Sequence, residues 1–245
     1  MVYKRFIPRV LVLWDEHLAR FNTVLTSEYS VSRKIGDPLS HISVLQSNLV
    51  DEITLINLSS SRKKEFIELV EEVGQILSTP LSVGGYIAEQ GYCLRLISAG
   101  ADRLILGRNR LNRELSTFIS EEFGRQATAC SLDYLESEVD NFIGRAASVA
   151  HQIEDLGYGE ILLNCTSRDG TLKGPDLRIL EMFAKLSVLP IVVGSGVGTV
   201  QHITEAFLNG ASGVAAGTFL SNLDQSPKQI RAHLHANGIH IRHKN

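Results

Sequence analysis

Short runs of apolar, β-branched residues alternate with longer amphipathic stretches along the whole chain. The runs that read as strands are FIPRVLVLW (6–14), EITLINL (52–58), LSVGG (81–85), RLILG (103–107), QATACSLD (126–133), EILLNCT (160–166), PIVVGSG (190–196) and GVAAGT (213–218). Helical patterns fall over 39–48, 61–77, 88–99, 110–122, 138–156, 176–185, 199–209 and 226–236. Several strand candidates are apolar at successive positions rather than alternate ones. That suits parallel strands covered on both faces. Eight strand–helix units in a chain of this length predict an α/β fold, a single (β/α)8 TIM barrel over 1–245. A doubly wound open sheet would call for a glycine-rich nucleotide turn near the start, which is absent.

An internal repeat supports the barrel. Residues 79–108 slide onto 189–218 without a gap: Pro80 meets Pro190, Val83 meets Val193, Gly84 meets Gly194, Gly100-Ala101 meets Gly210-Ala211, and Gly107 meets Gly217. Two half-barrels, approximately 1–123 and 124–245, are expected. The repeat is too long for a solenoid unit. The longest stretch without a periodic pattern, 20–38, is read as an irregular loop after the first strand, over the C-terminal mouth where barrel sites lie.

Composition narrows the function classes. Of the 245 residues, 44% are apolar and 21% charged, and the net charge is −3, so neither nucleic acid nor an anionic membrane is expected as a partner. Cys93, Cys130 and Cys165 are widely spaced and form neither a disulfide framework nor a metal motif, which fits a reducing cytoplasm. No apolar run would span a bilayer. The start, MVYKRFIPRVLVLW, lacks a cleavage site and reads as a first strand. His233, His235, His240 and His243 read as a solvated tail, with no metal or cofactor expected. Trp14 packs in the loop region of the first strand, and Asp51 and Arg168 are read as structural, with a phosphate contact the alternative for Arg168.

The glycine-ended strands carry the candidate chemistry. Strands seven and eight of such barrels often hold phosphate on backbone N–H groups. Gly194, Ser195, Gly196, Gly217 and Thr218 are therefore assigned to a phosphate site. The alternative is that the glycines make tight turns and nothing more. The repeat extends the assignment to Gly84, Gly85, Gly107 and Arg108, with Tyr86 standing where the second half has Gly196. Two such sites across one mouth would suit a small molecule phosphorylated at both ends.

The segments KRFIP, IGDP (35–38), VDEITLINL (50–58), VGGYI (83–87), GADRLILG (100–107), GEILLNCTSRDGTLKGPD (159–176) and EAFLNGASGVAAGTF (205–219) resemble the cyclase subunit of imidazole glycerol phosphate synthase nearly end to end. SRDGT followed by Gly-x-Asp is the most specific of them. The resemblance implies a barrel that docks a glutaminase on its N-terminal face and passes ammonia to a phosphorylated substrate at the opposite face. It implies acid–base roles for Asp133 and Asp169, with Thr171 beside the latter; paired carboxylates can take and give a proton. It also implies an ammonia gate of Arg5, Glu52, Arg103 and Glu160, for which exposed strand-start charges are the alternative reading.

The family's aspartate on strand one is missing: Leu11, or Val12 by the other count, takes its place, and Asp15 and Glu16 lie further on. Asn57 replaces an aspartate, Gly107-Arg108 replaces a polar phosphate-binding pair, and the stretch between Asp133 and Glu160 is shortened. Pro8, Leu11 and Asn164 resemble a divergent branch in which barrel and glutaminase supply ammonia to a separate sugar amidotransferase of surface-polysaccharide synthesis. Two other readings stand beside it: a working cyclase of histidine biosynthesis, a lyase, and a non-catalytic phosphate-binding activator of the glutaminase.

Overall fold

The computed structural model describes residues 4–14, 20–25, 31–48, 50–107, 113–222, 226–239 and 241. Its strands are β1 (Arg5–Trp14), β2 (Arg20–Leu25), β3 (Val31–Gly36), β4 (Ile53–Asn57), β5 (Leu81–Gly84), β6 (Arg103–Gly107), β7 (Thr128–Tyr134), β8 (Glu160–Cys165), β9 (Ile191–Gly194) and β10 (Gly213–Ala216). Its helices are α1 (Pro38–Ser47), α2 (Lys63–Ile76), α3 (Gln90–Ser98), α4 (Arg113–Phe123), α5 (Val139–Ile143), α6 (Ala146–Asp155), α7 (Leu177–Leu186), α8 (Val200–Leu208), α9 (Thr218–Asn222) and α10 (Pro227–Ala236). β1 and β4 to β10 run parallel in chain order, and β10 pairs back onto β1 through Arg5↔Gly213 to Pro8↔Ala216. That pairing closes the (β/α)8 barrel.

Closure divides each strand's side chains between two cores. The outward set packs against the helices: Phe6, Val10 and Val12 of β1 join Leu55, Val83, Leu104, Leu132, Leu163 and Val193 with the buried faces of the helices. The inward set fills the lumen: Ile7, Ile105, Ala129, Leu162, Val192 and Ala215, with Ile56 against them. Both faces being buried explains why the strands read as continuous apolar runs.

Three expectations need correction. The described parts of 20–38 are not an irregular loop: β1 runs past the barrel wall and pairs antiparallel with β2 (Leu11↔Thr23 to Trp14↔Arg20), and β2 pairs with β3. β2 and β3 pair onto the end of β1 outside the closed circle of parallel strands, and their sequences, RFNTVL and VSRKIG, carry no unbroken apolar run. The single helix expected over 138–156 is two, α5 and α6, broken at Gly144-Arg145. His233 and His235 sit in the last turn of α10 rather than in a tail; His240 and His243 lie outside the described residues, as do Asp15, Glu16 and Arg108.

Polar contacts fix the ends of the elements. Asp51 is buried, accepts the Phe6 N–H at 3.0 Å, and pairs with Arg231 of α10 at 2.6 Å, so the last helix is tied to the bottom of β1. Asp37 caps α1, Asp176 caps α7 and Thr199 caps α8. Trp14 packs against the outer core. Among the described residues no helix is long and apolar enough to cross a membrane.

Two changes test these constraints. Gly85 has φ +98°, and a Cβ there would stand 2.1 Å from the Asn57 carbonyl oxygen. Gly85→Ala is expected to cost about 3 kcal/mol or more in urea unfolding, from left-handed strain plus a backbone clash. Asp51→Ala removes the acceptor of both the Arg231 guanidinium and the buried Phe6 N–H and is expected to cost about 3 kcal/mol, read by the same titration; a loss under about 1 kcal/mol would mean the pair behaves as a surface contact.

Candidate functional site in the barrel lumen and mouth

The inward positions form rungs from the N-terminal floor to the C-terminal mouth. Arg5, Glu52, Arg103 and Glu160 meet at the floor. Arg5 donates to Glu52 at 2.6 Å and to Glu160, while Arg103 reaches Glu52 at 3.0 Å and Glu160 at 3.1 Å. Ser82 adds a hydroxyl donor to Glu52 at 2.5 Å. The carboxylate side chains are 4% and 6% exposed and the guanidinium side chains 17% and 18%, so this is a closed ring and not a set of rim charges. Burial pushes the Glu160 carboxyl above its usual range, and Arg103 and Arg5 pull it back in part. Burial works against the Arg5 charge, but Glu160 and Glu52 outweigh it and hold its pKa above the ordinary arginine value.

Above the ring the lumen is apolar, lined by Ile7, Ile105, Leu162, Val192 and Ala215 with Thr54 among them. The next rung is polar. Arg9, inward by its parity with Arg5 and Ile7, has a side chain 7% exposed. Its Nη1 lies 3.3 Å from Asn164 Oδ1 and its Nη2 lies 3.6 Å from Asp169 Oδ2. Asn164 is the hub of this rung: its Oδ1 also accepts the Ser195 hydroxyl at 2.5 Å, and its Nδ2 donates to Asp133 Oδ1 at 2.9 Å. Ser131 donates to the same Asp133 oxygen at 3.0 Å. Asp133 itself is exposed at the mouth. Sequence reasoning treated Arg9 as part of an apolar run and missed it; its signal was a charge at lumen parity. Leu11 pairs with Ile56 on the lumen side, whereas Val12 joins the outer core.

The mouth is built where two loops interlock. Gly174 N–H donates to Gly196 O at 2.7 Å, and Arg168 donates to Gly174 O at 3.1 Å while pairing with Glu136. Arg168 is thus occupied in holding the loop after β8, although its Nε has no hydrogen-bond partner. Thr171 bonds the Arg168 carbonyl at 2.8 Å, a turn-stabilising contact. Asp169, Gly170, Ser195, Gly196, Gly217 and Thr218 line one pocket, so the SRDGT motif and the loops after β9 and β10 converge. Gly194 lies one rung lower, where a Cβ would meet Asn164 and Arg9. Ser195 adopts φ +68° and Gly196 φ +72°; a Cβ on Gly196 would lie 2.3 Å from the Gly174 oxygen. Left-handed backbone is unfavourable for serine, and its hydroxyl bond to Asn164 offsets that.

On the opposite side the glycines have other duties. Gly84 faces the lumen against Ile56 and Ile105, Gly85 packs on the Asn57 backbone, and among the described residues no atom lies within 4 Å of a Cβ at Gly107. Tyr86 is 41% exposed at φ +55°. Among the described residues no cluster of His, Cys, Asp and Glu is arranged to hold a metal ion.

Comparison with known proteins agrees with this geometry. Residues 22–224 match the family model of histidine biosynthesis proteins. A protein of Prochlorococcus marinus (strain MIT 9313) named "Putative imidazole glycerol phosphate synthase subunit hisF2" is 32% identical over 233 residues, 89% of each chain. The imidazole glycerol phosphate synthase subunit HisF of Hydrogenobaculum sp. is 30% identical, covering 84% of this chain and 88% of that protein. That of Exiguobacterium sibiricum is 29% identical over 99% of this chain and all of that protein. The chain belongs to the histidine biosynthesis family of barrels, with the HisF subunits of imidazole glycerol phosphate synthase as its relatives.

Proposed function

We propose that this chain is the barrel subunit of a glutamine-dependent amidotransferase, taking ammonia from a glutaminase at the floor and passing it up the lumen to a phosphorylated acceptor at the mouth. The observation that carries the reading is the floor ring: two buried carboxylates, each shared by both partly buried arginines, beneath an apolar chamber. Neutral ammonia crosses an apolar chamber at little cost, whereas ammonium would have to shed its hydration. A ring of ion pairs seals the bottom until a docked partner shifts it. The expected docking face is therefore the N-terminal one.

The acceptor chemistry follows from the mouth. Leu11 offers no carboxylate, and Asp133 shares its Oδ1 with Ser131 and Asn164. One carboxylate without its opposite number is a poor acid–base pair for ring closure. The reading is thus ammonia supply to a separate amidotransferase acting on a sugar of surface-polysaccharide synthesis, supported by the sequence likeness at Pro8, Leu11 and Asn164. The second reading, a working cyclase of histidine biosynthesis, is favoured by the retained Asp133, Asp169 and SRDGT loop. In either reading the loops after β9 and β10 hold the phosphate, through Ser195, Gly196, Gly217 and Thr218.

A single-turnover cyclase assay separates the two, using the phosphoribulosyl-formimino substrate of histidine biosynthesis with excess ammonium salt. The unaltered chain is expected to give no product. Leu11→Asp alone is expected to stay silent as well, because successive inward positions on one strand are roughly 7 Å apart and Arg9 would pair with the new carboxylate. Product from the unaltered chain would sink the supply reading in favour of the cyclase.

Glu160→Gln tests the floor. It leaves two arginines sharing one carboxylate, and unfolding free energy is expected to fall by about 3 kcal/mol. With the glutaminase bound, glutamine-derived ammonia should then escape to solvent, measured with a coupled glutamate dehydrogenase assay. Unchanged retention of ammonia in that variant would argue against the ring as a gate.

A further inference from the structure

Among the described residues, one ion pair reaches from the lumen to the mouth, that of Arg9 with Asp169. Arg9 borders the apolar chamber above the floor and Asp169 borders the mouth pocket, while Ala215 touches both spaces. The pair between them is loose. At 3.6 Å, Arg9 Nη2 is beyond hydrogen-bond distance from Asp169 Oδ2, and that buried oxygen has no hydrogen-bond partner. The second Arg9 contact, to Asn164, is long at 3.3 Å, and Ser195 already holds the same oxygen at 2.5 Å. Leu11, the next inward residue on β1, offers the guanidinium nothing.

The mouth pocket, as assigned above, would take a phosphate. Its one charged lining residue is Asp169, which repels an anion. Among the described residues the cation set against Asp169 is Arg9. A phosphate can offer a guanidinium a bidentate, charge-assisted contact, stronger than the two long contacts Arg9 now makes. We propose that Arg9 is a ligand-operated shutter: a phosphate group in the mouth draws the guanidinium away from Asn164 and Asp169, and its movement joins the chamber to the mouth. This deepens the ammonia-supply reading and rests on the mouth being a phosphate site. Its consequence is order: the conduit opens above when an acceptor is in place. In its closed position the fixed positive charge also opposes ammonium in the lumen, as an arginine does in other selective pores.

The test reads the chamber directly and needs no partner protein. Thr54 lines the chamber, so Thr54→Cys places a thiol there. Its rate of labelling by methyl methanethiosulfonate is followed by intact mass, with and without saturating inorganic phosphate or ribose 5-phosphate, and binding is measured by calorimetry. The three natural cysteines are buried, and burial raises the thiol pKa of Cys93 and Cys165, so the chain without Thr54→Cys should give a slow background.

Phosphate is expected to speed labelling of Thr54→Cys at least tenfold. Adding Arg9→Ala should give fast labelling without phosphate and weaken phosphate binding at least tenfold. Arg9→Lys, which keeps the charge on a shorter donor, should fall between and decides the matter if the alanine variant does not fold. If phosphate binds yet neither it nor Arg9→Ala alters labelling, the shutter is overturned while the phosphate site stands. Fast labelling in Arg9→Ala with no phosphate effect would mean a fixed plug, which overturns operation by ligand. No phosphate binding by the unaltered chain overturns the phosphate reading of the mouth, and the shutter with it.

Discussion

Two arginines and two glutamates at the bottom of the barrel sum to zero charge, and none of the four could be buried there without the others. Each carboxylate accepts from both guanidinium groups, which is what a closed circle of strands permits and an open sheet does not. Closure in turn depends on β10 lying against β1 with Gly213 opposite Arg5. A side chain at Gly213 would press within 3.0 Å of Ile7 and Val192 and 3.6 Å of the Arg5 guanidinium. The glycine leaves the lumen wall open where the cation must pass. With the floor fixed, strand parity dictates the remaining rungs: an apolar layer above the ring, a polar layer of Arg9, Asn164 and Ser131 above that, and the mouth on top.

The barrel was legible because its strands are covered on both faces, and such strands announce themselves as unbroken apolar runs. What went unread did not obey that rule. The hairpin of β2 and β3 leans on the end of β1 and never enters the wall, so its residues carry no two-faced pattern. The break between α5 and α6 at Gly144-Arg145 interrupts a stretch whose apolar spacing continues on either side, as Val139, Phe142, Ala146, Val149 and Ile153 are all buried. Periodicity records which face is covered; it does not record a single turn of misaligned backbone. Arg9 was hidden by its neighbours, since one charge inside FIPRVLVLW reads as an interruption until parity assigns it to the lumen.

The internal repeat is visible in backbone conformation as well as in sequence. Gly85 and Tyr86 have φ of +98° and +55°, and the positions 110 residues later, Ser195 and Gly196, have +68° and +72°. Gly100 and Gly210 likewise share left-handed values of +111° and +102°. Both halves therefore turn the chain the same way after the strand, whichever residue stands there. The side chains then give the turns different uses. Gly196 lets the loop after β8 lie directly on it through Gly174, closing a pocket with Asp169 and Thr218. Tyr86 projects an exposed ring at the matching place.

Leu11 and Arg9 on β1 are best understood together. An aspartate at position 11 and an arginine at position 9 would face the same lumen one rung apart, and each would neutralise the other. With Leu11 in place, the Arg9 charge must be answered from elsewhere, and the answer comes from Asp169 on the loop after β8. That residue belongs to the mouth pocket and Arg9 to the chamber beneath it. A leucine at position 11 therefore does more than withhold a carboxylate from the lumen. It leaves the charge balance between chamber and mouth to an ion pair that crosses from one to the other, so that whatever occupies the mouth also acts on the lumen below.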